Sequence, residues 1–348
     1  MESKNKNCRI NSENCKECLV TNLWAGIVIV SYNSGKDLQI CIDHLAKQTF
    51  REFEVIIVDN ASPGNEFANL QLPDDRFRII KNEDNTGFAG GSNFGAKLIS
   101  APWVITLNPD AWPDPDWLDA LYQSSQKRQE YSILSSTIVS EADKSRLESF
   151  GNGMSIFGFA FPCGYRQKAS GRPREDVEVF AACGAAAAYK KDIFDRLGGF
   201  DESFFCYLED IDLAYRFRIA GGKCLQVSDA IVAHIGSSST NKEGGLKYEY
   251  SARNNTALIL KNTSLLALPV LLPLYFLSHI WLLYRNREKQ NFASRLAGFK
   301  SSIRMMPIYW KKRREVFSHR STRHNATLSK MTWSPRSLRN TPFSYWHI

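Results

Sequence analysis

Four short apolar runs constrain this chain more than anything else in it. Gly26–Val30, Val55–Val58, Phe77–Ile80 and Trp103–Leu107 are rich in Val and Ile. Each stops at a cluster of turn residues: Ser31-Tyr-Asn-Ser-Gly35, Asp59-Asn-Ala-Ser-Pro63, Asn82–Gly87 and Asn108-Pro-Asp-Ala111. Runs this short that are apolar without alternation read as strands buried on both faces of a parallel sheet. Between the first two lies a helical pattern that turns Leu38, Cys41 and Leu45 inward, as a crossover between parallel strands requires. The chain is therefore read as α/β. Asp59, the Asn85–Gly95 stretch and Asp110 all fall just past the carboxyl ends of these strands, the edge at which open α/β sheets bind ligands.

At 348 residues, 43% hydrophobic and 23% charged, the chain can bury a large core and is neither disordered nor collagen-like. The net charge of +8 is badly distributed: residues 285–348 hold 15 basic and 2 acidic side chains, against 29 and 34 in the rest. A nucleic-acid binder would not carry a mildly acidic body, so no nucleic-acid partner is expected; the tail alone seeks an anionic surface. The start, Met1–Asn7, has no apolar core, so no secretory signal is expected and the eight cysteines are read as reduced thiols. Cys8, Cys15 and Cys18 lack a fourth ligand nearby and read as part of a solvated leader rather than a zinc site. The expected organisation is a polar leader over 1–22, one α/β domain over 23–260, and an apolar helix with a basic helical tail over 261–348.

Residues 265–284 carry no formal charge and are long enough to span a bilayer. Spanning would put the very basic tail in the cytoplasm and the body outside. The favoured reading is a helix lying in the membrane interface, with Lys311-Lys-Arg-Arg314 adding attraction to anionic lipid; a spanning helix and a buried core helix are the alternatives.

Several residues could carry chemistry, and each also has a plain reading. Asp110, at a strand end, can hold Mg²⁺ or Mn²⁺ against a diphosphate, or can be a turn residue after Pro109. His234, at the end of Ala230-Ile-Val-Ala-His, can be a metal ligand or a satisfied core histidine. Glu209 and Asp210 can supply a general base, or can complement a helix N-terminus; as neighbours on a helix they should not share a face. Asn85-Thr-Gly-Phe-Ala-Gly-Gly-Ser-Asn93 is a glycine-rich turn opening a helix, suited to phosphate, although it is neither G-x-G-x-x-G nor a P-loop. Asp59 can accept hydrogen bonds from a nucleobase or ribose, or cap its strand. The small-residue run Ala181–Ala188 allows close backbone approach either to a ligand or to a packed strand.

Taken in order, these segments resemble the family-two glycosyltransferases with a GT-A fold (the Rossmann-like nucleotide-diphospho-sugar transferase fold), and within them the bacterial rhamnosyltransferase-like branch. The likeness rests on Ile29-Val-Ser-Tyr-Asn33, Val58-Asp-Asn-Ala-Ser62, Asn85–Asn93, Leu107-Asn-Pro-Asp-Ala111, Gly198-Gly-Phe-Asp201, Phe204–Leu213 and His234. It implies inverting transfer of a sugar from a nucleotide-sugar, dTDP-rhamnose being the donor that the branch suggests, to a glycan or lipid-linked acceptor in cell-surface polysaccharide synthesis. It further implies that Asp59 contacts the nucleobase, that Tyr32, Asn85, Gly87, Asn93 and Asn108 line the nucleotide pocket, and that Asp110 and His234 ligate Mg²⁺ or Mn²⁺. Asp210 would be the base and Glu209 its neighbour in the E-D pair. The D-x-D element reads Asn108-Pro109-Asp110, so its first carboxylate is missing. The tail beyond Leu260 resembles the branch's helical, membrane-associating C-terminus, which implies an enzyme peripheral on the cytoplasmic face of the membrane. A non-catalytic nucleotide-sugar-binding subunit is the alternative, one that would have no need of Asp210. A Rossmann oxidoreductase lacks its dinucleotide fingerprint here.

Overall fold

The computed structural model describes residues 23–64, 66–236, 245–285, 292–321 and 331; the leader with Cys8, Cys15 and Cys18 lies outside the described residues. In chain order the elements are β1 (Ala25–Ser31), α1 (Lys36–Ala46), β2 (Phe53–Asp59), β3 (Phe77–Lys81), α2 (Gly87–Ala96), β4 (Trp103–Leu107), β5 (Ala111–Pro113) and α3 (Trp117–Lys127). Then come β6 (Ile133–Ser140), β7 (Leu147–Ser149), β8 (Asn152–Met154), β9 (Ala160–Pro162), β10 (Val177–Val179), β11 (Ala186–Lys190), α4 (Lys191–Arg196), α5 (Glu209–Ile219) and β12 (Cys224–His234). Three helices, α6 (Leu246–Asn262), α7 (Leu268–Arg285) and α8 (Phe292–Ser318), complete them.

The main sheet has the order β10-β12-β6-β11-β4-β1-β2-β3, with β5 on β12 and β7 on β6. The four expected strands pair in parallel, and their apolar side chains are buried on both faces. One face packs against α1 and α3 through residues such as Leu38, Cys41, Leu45, Trp117 and Leu121; the other packs against α2, α5 and the C-terminal helices. Removing an Ile or Val of this kind from water stabilises the fold by roughly 1.5–3 kcal/mol. The sheet is mixed rather than wholly parallel, because β11 runs antiparallel to both β4 and β6. Its Ala186, Ala187 and Ala188 are fully buried, so the last three residues of the small-residue run are strand.

β6 is hard to see in sequence because its centre, Ser135-Ser136-Thr137, is polar yet buried. Internal hydrogen bonds satisfy it: Trp117 Nε1 donates to Ser136 Oγ at 2.8 Å and Gln226 Nε2 to Thr137 Oγ1 at 2.9 Å.

The expected boundary near residue 260 falls inside α6. α8 runs beside α6, with Arg313 donating to the Leu260 carbonyl at 2.8 Å. A buried ionic cluster ties both helices to the body. Lys261, 2% exposed, reaches Asp201 at 2.6 Å and Asp212 at 2.7 Å. Lys312 also pairs with Asp201, and Asn262 donates to Asp212. α7 buries Leu268, Leu271, Tyr275 and His279 at helical spacing and leaves Val270, Leu277, Ile280, Trp281 and Tyr284 exposed on its other side. It is thus packed on one face only. No helix among the described residues is long and apolar enough to cross a membrane.

Candidate active site

Strand pairing explains why residues far apart in sequence meet. β5 and β12 are antiparallel, with His234 opposite Ala111, so His234 is delivered beside Asp110. The Asp110 carbonyl also accepts a hydrogen bond from the Ile235 N–H at 3.1 Å. His234 Nε2 lies 3.3 Å from Asp110 Oδ1, close but not aligned as a hydrogen bond. The other ring nitrogen, Nδ1, is 2.7 Å from Glu148 Oε2 on β7. Burial alone pulls the His234 pKa down, and the two carboxylates Asp110 and Glu148 outweigh it, pushing it up to about 10.

The base candidate sits at the start of α5. Asp210 Oδ2 accepts a hydrogen bond from the Gly184 N–H at 2.9 Å, and Oδ1 accepts one from the Ile211 N–H at 2.8 Å. The Gly184 carbonyl in turn accepts from Thr106 Oγ1 of β4 at 3.1 Å. One residue therefore bridges the strand that leads to Asp110 and the carboxylate on α5. A Cβ at Gly184 would lie 3.3 Å from Asp210 Cβ and 3.4 Å from its Oδ2, which is the reason for a small residue there. Burial raises the Asp210 carboxyl above its ordinary range although the Gly184 and Ile211 amides pull it back. Glu209 is raised further, by burial and then by the Asp210 charge, and its Oε2 is buried without a hydrogen-bond partner.

The chain enters α5 through a strained loop. Phe205 (φ 62°, ψ −64°) is the centre of a γ-turn of the rare hand, closed by a 2.7 Å hydrogen bond from the Cys206 N–H to the Phe204 carbonyl. Tyr207 (φ 71°) and Leu208 (φ 69°) are left-handed as well. Each such non-glycine residue costs on the order of 1–3 kcal/mol, and strain of this kind gathers at functional sites.

A cavity of about 570 Å³ joins these parts. Tyr32, Asn85, Gly87, Asn108, Asp110, Glu209, Asp210 and His234 all line it. Gly87 (φ 70°) packs directly on the strained loop: a Cβ there would come 2.3 Å from the Phe205 carbonyl oxygen. Asp59 and Asn93 are not among the lining residues. Asp59 Oδ1 accepts from the Ser62 N–H at 2.9 Å, capping its own strand, with Lys81 3.9 Å from Oδ2. Asn93 is turned inward and fixes the Gly199–Glu202 turn, donating to the Phe200 carbonyl and accepting from the Phe200 N–H, both at 2.8 Å. Motif residues Asp201 and Asp212 likewise serve the buried ionic cluster.

Several residues that the sequence did not single out belong to the site. Glu148 braces His234. Asn60 Nδ2 donates to Asn85 Oδ1 at 2.9 Å and to the Gly87 carbonyl at 3.1 Å, shaping the glycine-rich turn. Lys247, Tyr248, Tyr250 and Asn255 reach the cavity from α6. Only Asn60 stood beside a flagged residue; the others lie in segments with no strand-end position to mark them.

The family model described as Glycosyl transferase family 2 matches residues 26–198. Residues 26–198 thus form a glycosyl transferase family 2 domain. The chain is 30% identical to glycosyltransferase GlyG of Streptococcus pneumoniae over 105 residues, 29% of this chain and 35% of that protein. It is 30% identical to Agl10, the low-salt glycan biosynthesis hexosyltransferase of Haloferax volcanii, over 212 residues, 59% of this chain and 66% of that one. The N-acetylglucosaminyl-diphospho-decaprenol L-rhamnosyltransferase of Mycobacterium tuberculosis is 27% identical over 242 residues, 62% of this chain and 78% of that one. The match thus spans about a third of the first relative and just under two thirds of the second. Among solved structures, that of GalNAc-T7 with UDP, GalNAc and Mn²⁺ superposes with a TM-score of 0.56 at 15% identity, covering 86% of this chain and 58% of that one. Staphylococcus aureus TarS 1–349 gives 0.51 at 14% identity, covering 90% and 93%. At these identities the likeness establishes the fold, which is GT-A-like with helical C-terminal elements added.

The donor set suits a divalent cation. Two ligands each about 2.1 Å from one cation at a right angle lie about 3 Å apart, and His234 Nε2 and Asp110 Oδ1 are 3.3 Å apart. Among the described residues no group of three or more His, Cys, Asp or Glu side chains could hold an ion, so substrate oxygens and water would have to complete the shell.

Proposed function

We propose that this transferase moves a hexosyl group, rhamnose from dTDP-rhamnose being the favoured case, from a nucleotide-sugar to a hydroxyl of a glycan or lipid-linked acceptor, with inversion. The observation that carries this is Asp210, a buried carboxylate of raised pKa opening on the same cavity as Asp110 and His234, and joined to their strand through Gly184.

In the proposed step Asp210 takes the proton of the acceptor hydroxyl as its oxygen attacks C1 of the sugar. The bond from C1 to the phosphate oxygen breaks, and its electron pair leaves with the nucleoside diphosphate. A single displacement needs one base, and Asp210 in its ionised form would supply it. Mg²⁺ or Mn²⁺ held by Asp110 and His234 would neutralise the charge gathering on the departing diphosphate. Tyr32, Asn85, Gly87 and Asn108 would line the nucleotide side; the aromatic rings of Phe161, Tyr165 and Tyr250, also in the lining, suit the faces of sugar rings.

The acceptor class is supported by the mycobacterial relative, whose name states a diphospho-decaprenol substrate. Placement on the cytoplasmic face of an anionic membrane is supported by the exposed apolar side of α7 and by exposed Lys300, Arg304, Lys311 and Arg314 on α8. Purified protein incubated with a panel of nucleotide-sugars should release nucleoside diphosphate from one of them in the presence of Mn²⁺. Asp210→Asn should lose at least 100-fold in rate and still bind the nucleotide. Turnover of no donor, or an undiminished rate in that variant, would sink the reading.

A further inference from the structure

The loop that delivers Asp210 is held from outside its own segment of chain. All six carbonyls from Ser203 to Leu208 have donors. Arg253 Nη2 donates to Ser203 at 3.1 Å and to Phe204 at 2.7 Å. The Asn254 amide donates to Phe204 at 3.0 Å, to Cys206 at 3.0 Å and to Tyr207 at 2.7 Å, so one of its two N–H groups is shared. The Ala89 N–H serves Phe205 at 3.1 Å, and the Asp212 N–H serves Leu208 at 2.9 Å. Asn254 is fully buried. Arg253 Nε donates to Asn254 Oδ1 at 2.9 Å, which fixes the amide with its N–H side toward the loop. Arg253 itself lies 4.6 Å from the Tyr250 ring centre.

We propose that Asn254, oriented by Arg253, is the positioning residue that holds the 203–208 loop with Phe205, Tyr207 and Leu208 at positive φ and thereby sets Asp210 against the acceptor hydroxyl. A loop with three non-glycine residues at positive φ does not hold that shape by local preference; surrounding contacts must impose it. A carboxamide is suited to the task, because it offers two N–H groups to converging carbonyls while its oxygen is occupied elsewhere. A carboxylate of the same shape offers none. The clamp stands on its own geometry; its effect on chemistry rests on the transferase reading.

The test compares the full-length wild type with Asn254→Asp, and with Arg253→Gln, a part-buried site that keeps the experiment decisive if the first variant does not fold. Hydrogen–deuterium exchange without substrate is read for peptides covering 203–211 and β1–β4. Steady-state turnover of the donor that wild type cleaves, and Mn²⁺–dTDP affinity, are measured alongside. Exchange in 203–211 should rise about tenfold or more with β1–β4 unchanged, kcat should fall about 100-fold, and dTDP affinity should stay within about twofold. Unchanged loop exchange in the folded variants would overturn the clamp. Faster exchange with wild-type kcat would overturn the positioning role. A wild type that turns over no donor would sink the transferase reading alone, since the exchange result does not depend on it.

Discussion

Asp210 is useful because its environment pulls it in two directions. Burial raises its pKa, and the backbone N–H groups of Gly184 and Ile211 pull it back. Only the ionised form is a base, so kcat should fall as pH drops through a value above the ordinary carboxylate range near 4; a profile still flat at pH 4 would contradict the assignment. At the proposed metal ligands, Glu148→Gln should lower Mn²⁺ affinity by about 10–100-fold, read by Mn²⁺ electron paramagnetic resonance titration, because it removes the carboxylate that braces His234. Asp110→Ala should abolish the Mn²⁺ dependence of nucleotide binding. Asp110, His234 and Asp210 were legible because each follows a recognisable strand or opens a helix. Glu148 was not, since a three-residue strand has no periodicity to place it. Asn93 and Asp59 look in sequence like pocket residues, yet their hydrogen bonds turn them to shaping backbone.

Among the elements, α5 is held by its charges as well as by its buried apolar side chains Ile211, Leu213, Tyr215, Phe217 and Ile219. Asp212 lies between Lys261 and Arg216, the latter at 2.8 Å, and Arg216 also donates to the Leu197 and Gly199 carbonyls. Lys261→Met leaves Asp201 and Asp212 short of a buried partner and should destabilise the protein by about 3–5 kcal/mol in urea unfolding. Burial alone would raise the Asp201 carboxyl, but Lys261 and Lys312 hold it well below the usual range. Its contribution is therefore present above the unfolded value near pH 4 and is lost as pH falls toward the folded one; the variant should show a flatter stability profile through that region. The strands β1–β4 and the inward face of α1 could be read from apolar spacing. β6 could not, because its core is polar, and neither could β7 to β10, which are three residues each.

For the whole molecule, the family-matched segment and the working site are different lengths of chain. The match ends at residue 198, whereas Asp210, His234 and the α6 contacts to the catalytic loop all come later. Ending the chain near residue 260 would strip α8 and the end of α6 from the ionic cluster, so such a fragment should lose activity and stability together and is a poor probe of membrane attachment. Surface changes are the cleaner probe. Val270→Ser, Leu277→Ser and Trp281→Ser together should cut flotation with phosphatidylglycerol vesicles by about tenfold while donor hydrolysis in solution stays near wild type. The pairing of β5 with β12 has a consequence for synthesis as well. Asp110 leaves the ribosome long before His234, and α6 later still, so a chain terminated within the family-matched segment would hold β1–β4 and Asp110 without Asp210 or His234. On the proposed roles, donor cleavage would have to wait until synthesis has passed α6, which ends at Asn262.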